Sequence, residues 1–289
     1  MQTQKTGLIL EGGGMRGIFT AGILDVLMEQ HITFDCVVGV SAGAAFGCNF
    51  KSHQIGRVLR YNLRYCRDPR YCSVRSLLLT GDLFGASFCY HDIPNQLDVF
   101  DGAAFEHSPM QFYVVCTNML TGQAVYHLCE KATDETFEWI RGSSSMPLVS
   151  RPVHVGGFLL LDGGIADSIP LRFSMKLGYE RNVVVLTQPQ SYVKEANRLF
   201  PLFQVGLRHY PQSIQAIADR PRVYNESREL VFEQERQGNA FVFCPKEPLP
   251  IGRVEHDPEV IQSVYQQGRQ QAQEKLDALC SFLSPADIV

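Results

Sequence analysis

Three short apolar runs in this chain each break off into glycine. Leu8-Ile9-Leu10 is followed by Glu11 and then Gly12-Gly13-Gly14-Met15-Arg16-Gly17. Val37-Val38 runs into Gly39-Val40-Ser41-Ala42-Gly43, and Phe158-Leu159-Leu160-Leu161 into Asp162-Gly163-Gly164. Continuous apolar runs of this length, bounded by turn residues, read as strands buried on both faces, the kind found in parallel sheets covered by helices. A strand–helix–strand crossover makes its two strands parallel and is almost always right-handed. The C-terminal ends of such strands, and the turns that follow them, then open on one edge of the sheet.

The rest of the chain fits that pattern. Strands are expected at Gly7–Leu10, Cys36–Val40, Gln111–Thr117, Phe158–Leu161 and Asn182–Thr187, with helices at Met15–Gln30 and from Ala42 to about Asn49. Alternation of this kind predicts an α/β fold, a mainly parallel central sheet with helices on both sides. The last stretch changes character: it is rich in Gln, Arg and Glu, reads as helical, and is interrupted by the strand-like Ala240–Cys244. The expected organisation is a catalytic domain over 6–190 and a mainly helical C-terminal extension over 191–289 packed on it. In segment 51–100, Arg57, Arg60, Arg64 and Arg67 recur at helical spacing. They read first as a solvated helical face, and second as a surface for an anionic head group.

Composition narrows the function classes. A formal charge of −4 and a pI of about 6.1 give no electrostatic footprint for nucleic acid. The nine cysteines are scattered, without C-x-x-C pairs or clustered Cys/His spacing, and read as small buried hydrophobes in a reducing compartment. No run of ~18 apolar residues and no signal-peptide core is present. A cytoplasmic protein without metal or cofactor is expected.

The Gly39–Gly43 segment has the strand-to-helix context that a G-x-S-x-G nucleophile elbow requires, with Ser41 at the turn. Gly39 and Gly43 flank it because a Cβ at either place would clash in so tight a bend. The Gly12–Gly17 segment also matches a dinucleotide-binding fingerprint, but that reading needs an acidic residue at the end of the second strand. Asp35 precedes that strand, and its end carries Gly39 and Ser41 instead. If the first two strands are neighbours, the backbone N–H groups of the glycine segment face the Ser41 turn and can serve as an oxyanion hole. Asp162, at the end of a buried strand, can be aimed into the same cleft, where burial would make it a better base. His209 and His256 satisfy the chain order of an α/β-hydrolase triad, but both lie in polar stretches away from any glycine-rich strand end. Asp167 is the rival carboxylate.

In this order and spacing the segments resemble those of the patatin-like phospholipases, closest to their bacterial cytoplasmic branch, over roughly residues 6–190. Gly142-Ser143-Ser144-Ser145-Met146-Pro147 is similar, with substitutions, to the family's Ala-Ser-Ser-Ala-x-Pro stretch. The resemblance implies a three-layer patatin-like fold and a Ser–Asp dyad without histidine that cleaves lipid acyl esters. Carried over by motif, Ser41 is the nucleophile and Asp162 the base, with Gly12, Gly13, Gly14 and Arg16 around the oxyanion. The implied partner is a lipid or acyl-ester substrate, with transient contact to a membrane surface. An acyltransferase using the same acyl-serine is the alternative.

Overall fold

The strands that carry the three glycine turns lie in one central sheet, two of them adjacent and the third one strand away. The computed structural model describes residues 5–283. Its strands are β1 (Thr6–Leu10), β2 (Cys36–Val40), β3 (Gln111–Asn118), β4 (Ala124–Leu128), β5 (Val153–Val155), β6 (Phe158–Asp162), β7 (Arg181–Val185) and β8 (Ala240–Phe243). They form one sheet in the order β5-β6-β3-β2-β1-β7-β8, with β4 also paired to β3. The run β3-β2-β1-β7-β8 is parallel throughout, whereas β4, β5 and β6 join antiparallel. The central strands were legible as apolar runs. The strand β6 was legible too, but it runs antiparallel to β3 where a parallel strand was expected. The antiparallel β4 and β5 were not legible, because β5 has three residues and β4 is only half-buried along its length.

Helices follow as α1 (Gly17–Glu29), α2 (Ala42–Lys51), α3 (Arg57–Tyr65), α4 (Val74–Thr80), α5 (Gly102–His107), α6 (Asp134–Ser143), α7 (Leu171–Lys176), α8 (Phe200–Gly206), α9 (Pro211–Arg236), α10 (Pro258–Glu274) and α11 (Leu276–Phe282). The period-two alternation of the strands divides the core between the two faces of the sheet. Leu8, Leu10, Val37 and Val185 pack with α1, α2 and α10, while Ile9, Val38, Val40 and Val184 pack with Leu171 of α7 and with Tyr224 and Val231 of α9. This is the expected three-layer patatin-like arrangement.

The C-terminal segment is woven into these layers. β8 extends the parallel sheet beside β7, and α10 crosses α1 at a glycine–glycine contact. A Cβ at Gly268 would come within 2.1 Å of the Phe19 carbonyl oxygen, and one at Gly22 within 2.2 Å of the Tyr265 oxygen. The crossing is sealed by the Tyr265 hydroxyl, which donates to the buried Asp25 carboxylate at 2.7 Å.

Of the arginine stripe, Arg60, Arg64 and Arg67 are exposed as expected of a solvated face, and Arg57 is not. Arg57 is buried and donates to Asn49 Oδ1 and to the Asp98 carbonyl, while Arg60 grips the Asp98 carboxylate through two hydrogen bonds. The helix α3 thus clamps the segment leading into α5. All nine cysteines are free thiols, six of them buried.

Because the α1–α10 contact is backbone against backbone, Gly268→Ala must push the helices apart. It should cost ~1–3 kcal/mol, the range for overpacking. The urea midpoint should fall while the m-value stays constant.

Candidate active site

The register along β3 decides where the site falls. Val115 of β3 pairs with Val40, the last residue of β2, and the next residue, Cys116, pairs with Asp162 at the end of β6. The turn after β2 and the carboxylate at the end of β6 therefore meet over adjacent residues of one strand. On the other side of β2, Leu10 pairs with Gly39, which brings the 11–17 segment over the same edge.

Ser41 occupies the strand-to-helix turn at φ 53°, ψ −120°, a conformation that side-chain-bearing residues rarely adopt. Close approach on both sides holds it there. A Cβ on Gly39 would lie 2.6 Å from the Gly43 carbonyl oxygen, and one on Gly43 would lie 2.4 Å from the Leu10 oxygen. The Ser41 N–H donates to Ser143 Oγ at 2.8 Å, and Ser143 in turn donates to the Val115 carbonyl at 2.5 Å. This buried serine was missed as a functional position from sequence. Its only signal was the family-like serine stretch around it.

Asp162 is buried, and its Oδ1 accepts the Gly164 N–H at 2.7 Å. Its own N–H is pinned to the Ser145 carbonyl. Gly163 lets the chain press onto β3, since a Cβ there would sit 2.0 Å from the Val115 oxygen. Burial raises the Asp162 pKa above the usual aspartate value. The Arg220 charge, the Ser41 hydroxyl, the Gly164 N–H and Arg253 draw it part of the way back. The Ser41 hydroxyl thus faces the Asp162 carboxylate closely enough to stabilise its charge.

The glycine segment lies against the same turn, with the Gly12 Cα hydrogen facing the Ser41 Cβ and the Val40 oxygen so closely that a Cβ would be 3.0 Å from each. Gly14 has φ +58° and packs on the Arg253 backbone, whose carbonyl accepts the Met15 N–H at 3.2 Å. The N–H groups of Gly12, Gly13 and Gly14 carry no hydrogen bond among the described residues. Glu11 anchors the segment from below: its carboxylate accepts the Thr187 N–H and the Tyr224 hydroxyl, each at 2.6 Å.

These groups share one cavity of about 340 Å³. It is lined by Gly12–Arg16, Ser41 and Asp162, by apolar side chains including Phe46, Tyr61, Phe84, Ile93, Phe137 and Ile140, and by Lys194, Arg220, Tyr224 and Arg253 from the C-terminal segment. No histidine is among its lining residues. His209 instead meets the exposed Arg208 side chain, and His256 bonds the Cys66 carbonyl. Asp167 holds the Tyr126 hydroxyl outside the cavity. Asp35 lies at the opposite end of β2, where it accepts the Thr6 N–H. Among the described residues no group of side chains could hold a metal ion, and no helix is long and apolar enough to cross a membrane.

A mainly parallel sheet whose strand ends present a strained serine, a buried aspartate and a glycine-rich segment defines a patatin-type α/β protein. Residues 8–174, more than half of the chain, match the family model for patatin-like phospholipases. The chain belongs to that family. Residues 210–284 match a second model, a domain of unknown function (DUF6363). The uncharacterized protein YjjU of Escherichia coli is 32% identical over 194 residues, spanning 65% of this chain and 53% of YjjU. Lysophospholipase nte1 of Aspergillus niger is 27% identical over 186 residues, spanning 61% of this chain and 11% of that protein. The crystal structure of VipD from Legionella pneumophila superposes with a TM-score of 0.45 at 14% identity, over 95% of this chain and 67% of VipD. The family assignment does not rest on it. The chain thus spans about half of YjjU and about a tenth of the fungal enzyme.

Ser41 pays a backbone cost that glycine would not. Ser41→Gly should therefore melt higher than Ser41→Ala, which keeps the Cβ in the strained turn, by ~1 kcal/mol in unfolding free energy. Ser143→Ala removes a buried donor–acceptor bridge and should lose ~1–3 kcal/mol. Thermal and urea unfolding of the three variants check both expectations.

Proposed function

We propose that the chain is a serine acyl-ester hydrolase acting on lipids, of phospholipase A or lysophospholipase type, with a Ser41–Asp162 dyad. The observation that carries this reading is the meeting of Ser41, Asp162 and three unbonded glycine N–H groups in one cavity whose lining contains no histidine. The lysophospholipase named among its relatives supports the substrate class.

In this mechanism the Ser41 hydroxyl attacks the ester carbonyl and passes its proton to Asp162. The raised pKa suits the carboxylate to accept it. Negative charge developing on the carbonyl oxygen is met by the N–H groups of Gly12, Gly13 and Gly14, with Arg16 beside them. The alcohol leaves with the proton returned by Asp162, and water then attacks the acyl-Ser41, again with Asp162 as base. The apolar side of the cavity takes the acyl chain.

Ser41→Ala and Asp162→Asn should each lower kcat/KM on a lipid ester by at least ~10³-fold. The stability of Asp162→Asn should move the other way. A carboxyl whose folded pKa is raised contributes stability below its unfolded pKa and loses it as pH rises through the folded value. At neutral pH the ionised Asp162 is therefore a burden, and the asparagine variant should melt at or above wild type. Activity should fall on the acid side at a pH above the usual aspartate range, as Asp162 becomes protonated and can no longer accept the serine proton. A variant with full turnover and native-like melting would overturn the dyad. Gly14→Ala forces a Cβ to 2.7 Å from the Arg253 oxygen and displaces the segment, so kcat should drop ~10²-fold, the scale of one lost oxyanion donor. Product analysis with an added alcohol reports whether the acyl group goes to water or to the acceptor.

A further inference from the structure

Four cations from four different parts of the chain converge on the cavity wall next to Ser41. Arg16 comes from the glycine segment, Lys194 from the stretch after β7, Arg220 from α9 and Arg253 from the stretch after β8. Each is held in place by its surroundings. The Lys194 backbone exchanges two hydrogen bonds with the Asn225 side chain, at 2.9 and 3.1 Å, and its ammonium sits 4.4 Å from the centre of the Tyr224 ring. The Arg253 carbonyl accepts the Met15 N–H. Arg220 reaches so close to the turn after Asp162 that a Cβ on Gly164 would meet its Nη2 at 3.1 Å.

None of the four forms an ion pair within 4.0 Å among the described residues. The Nε atoms of Arg16 and Arg220 are buried with no hydrogen-bond partner. The acids that line the same cavity are already engaged: Glu11 by Thr187 and Tyr224, Asp162 by Gly164, and Asp82 by the Arg151 N–H at 2.8 Å. Arg57 and Arg141, which also line it, are paired with Asp98 and Glu138. The mutual repulsion shows in Lys194, whose pKa burial and the neighbouring Arg220, Arg253 and Arg16 push down to about 7, against the pull of Glu11.

Arg16, Lys194 and Arg220 are partly buried and Arg253 is exposed. Cations that are partly desolvated with unused donors cost free energy unless an anion satisfies them. Guanidinium groups suit phosphate oxygens because they donate in a planar fork. We propose that Lys194, Arg220 and Arg253, together with Arg16, form a phosphate subsite, and that the chain selects acyl esters bearing a phosphomonoester, of the 1-acylglycerol 3-phosphate class. This rests on the hydrolase reading above and names its substrate. A terminal phosphate is a dianion and matches the surplus of positive charge, whereas the ammonium of a choline ester would be brought up against the same four cations. Three of the four residues lie beyond 190, so the C-terminal segment supplies the head-group specificity of the site.

The test uses short-chain, monomeric substrates, which keep the charge of a lipid surface out of the comparison. Wild type should show kcat/KM at least ~10-fold higher for 1-acylglycerol 3-phosphate than for the corresponding phosphocholine or neutral monoacylglycerol, the scale of one charge-assisted contact. Lys194→Gln and Arg253→Gln should shrink that ratio by a similar factor, and Lys194→Arg should keep it, with melting curves confirming that each variant is folded. By calorimetry glycerol 3-phosphate should bind wild type and not the Lys194→Gln/Arg253→Gln protein. Hydrolysis with no preference for the anionic ester, or a preference that both glutamine variants keep, would overturn the proposal and leave the hydrolase standing. Binding of inorganic phosphate without substrate preference would overturn it in favour of a free-anion site. If no ester is cleaved, the hydrolase reading fails and calorimetry still decides the subsite: glycerol 3-phosphate binding that the double variant loses supports it, and no binding overturns it.

Discussion

Everything near the candidate site is arranged to hold one residue, Ser41, in a backbone conformation it would not adopt alone. Its φ of 53° costs free energy of the order of 1–3 kcal/mol. That cost is tolerated because the neighbours leave no alternative. Gly43 is pressed on the Leu10 carbonyl, Gly39 on the first turn of α2, and the Ser41 N–H is tied through Ser143 to β3. The strain is thus supported by three strands and two helices at once, and relaxing it would require the sheet register to change. A hydroxyl held this way projects from the end of the sheet, not back into it.

The same strands deliver the remaining groups with little further machinery. Parallel pairing sets β1 and β2 side by side with their C-terminal ends on one edge, and the step from Val115 to Cys116 on β3 brings Asp162 alongside. Glu11 then links the glycine segment to the end of β7 and to α9 through two short hydrogen bonds. A buried carboxylate used in this way makes the first loop and the C-terminal helix mechanically dependent on each other. β8 and the α1–α10 crossing reinforce that dependence, so the C-terminal segment shares the core and the sheet of the part that precedes it.

The electrostatics of the cavity are asymmetric. One side is apolar and aromatic; the other carries Arg16, Lys194, Arg220 and Arg253 beside the buried Asp162. Burial alone would favour a protonated Asp162, and the nearby arginines oppose it. The cations therefore influence the carboxylate as well as any anion that enters. Charge that is uncompensated within the chain is a cost to folding, and its retention next to a strained serine is the pattern of a site shaped for a ligand.

Much of this architecture was readable along the chain, because strands buried on both faces are written as unbroken apolar runs and tight approaches as glycines. Leu8–Leu10 and Val37–Val40, each ending in its glycine turn, determined the parallel core and the Ser41 turn, and Phe158–Leu161 the position of Asp162 at a strand end, though not that this strand runs antiparallel to β3. Local sequence could not show β4 and β5, which lack an unbroken buried run and are held by pairing to β3 and β6 and by distant rings such as Trp139 on His127 and Phe173 on Tyr126. It also misrepresented Arg57, which reads as a surface residue and is buried because Asn49 and Asp98 meet it from elsewhere in the chain. Arg220 sits in the inward register of α9, between Ile217 and Tyr224 at spacings of three and four, so a charged residue in an apolar stripe was the available signal. What it faces was decided only by the tertiary structure. Lys194, Arg220 and Arg253 are separated from Ser41 by more than 150 residues, and long-range packing of α9 and the loops beside it, through contacts that no local pattern encodes, is what carries their charge to the serine.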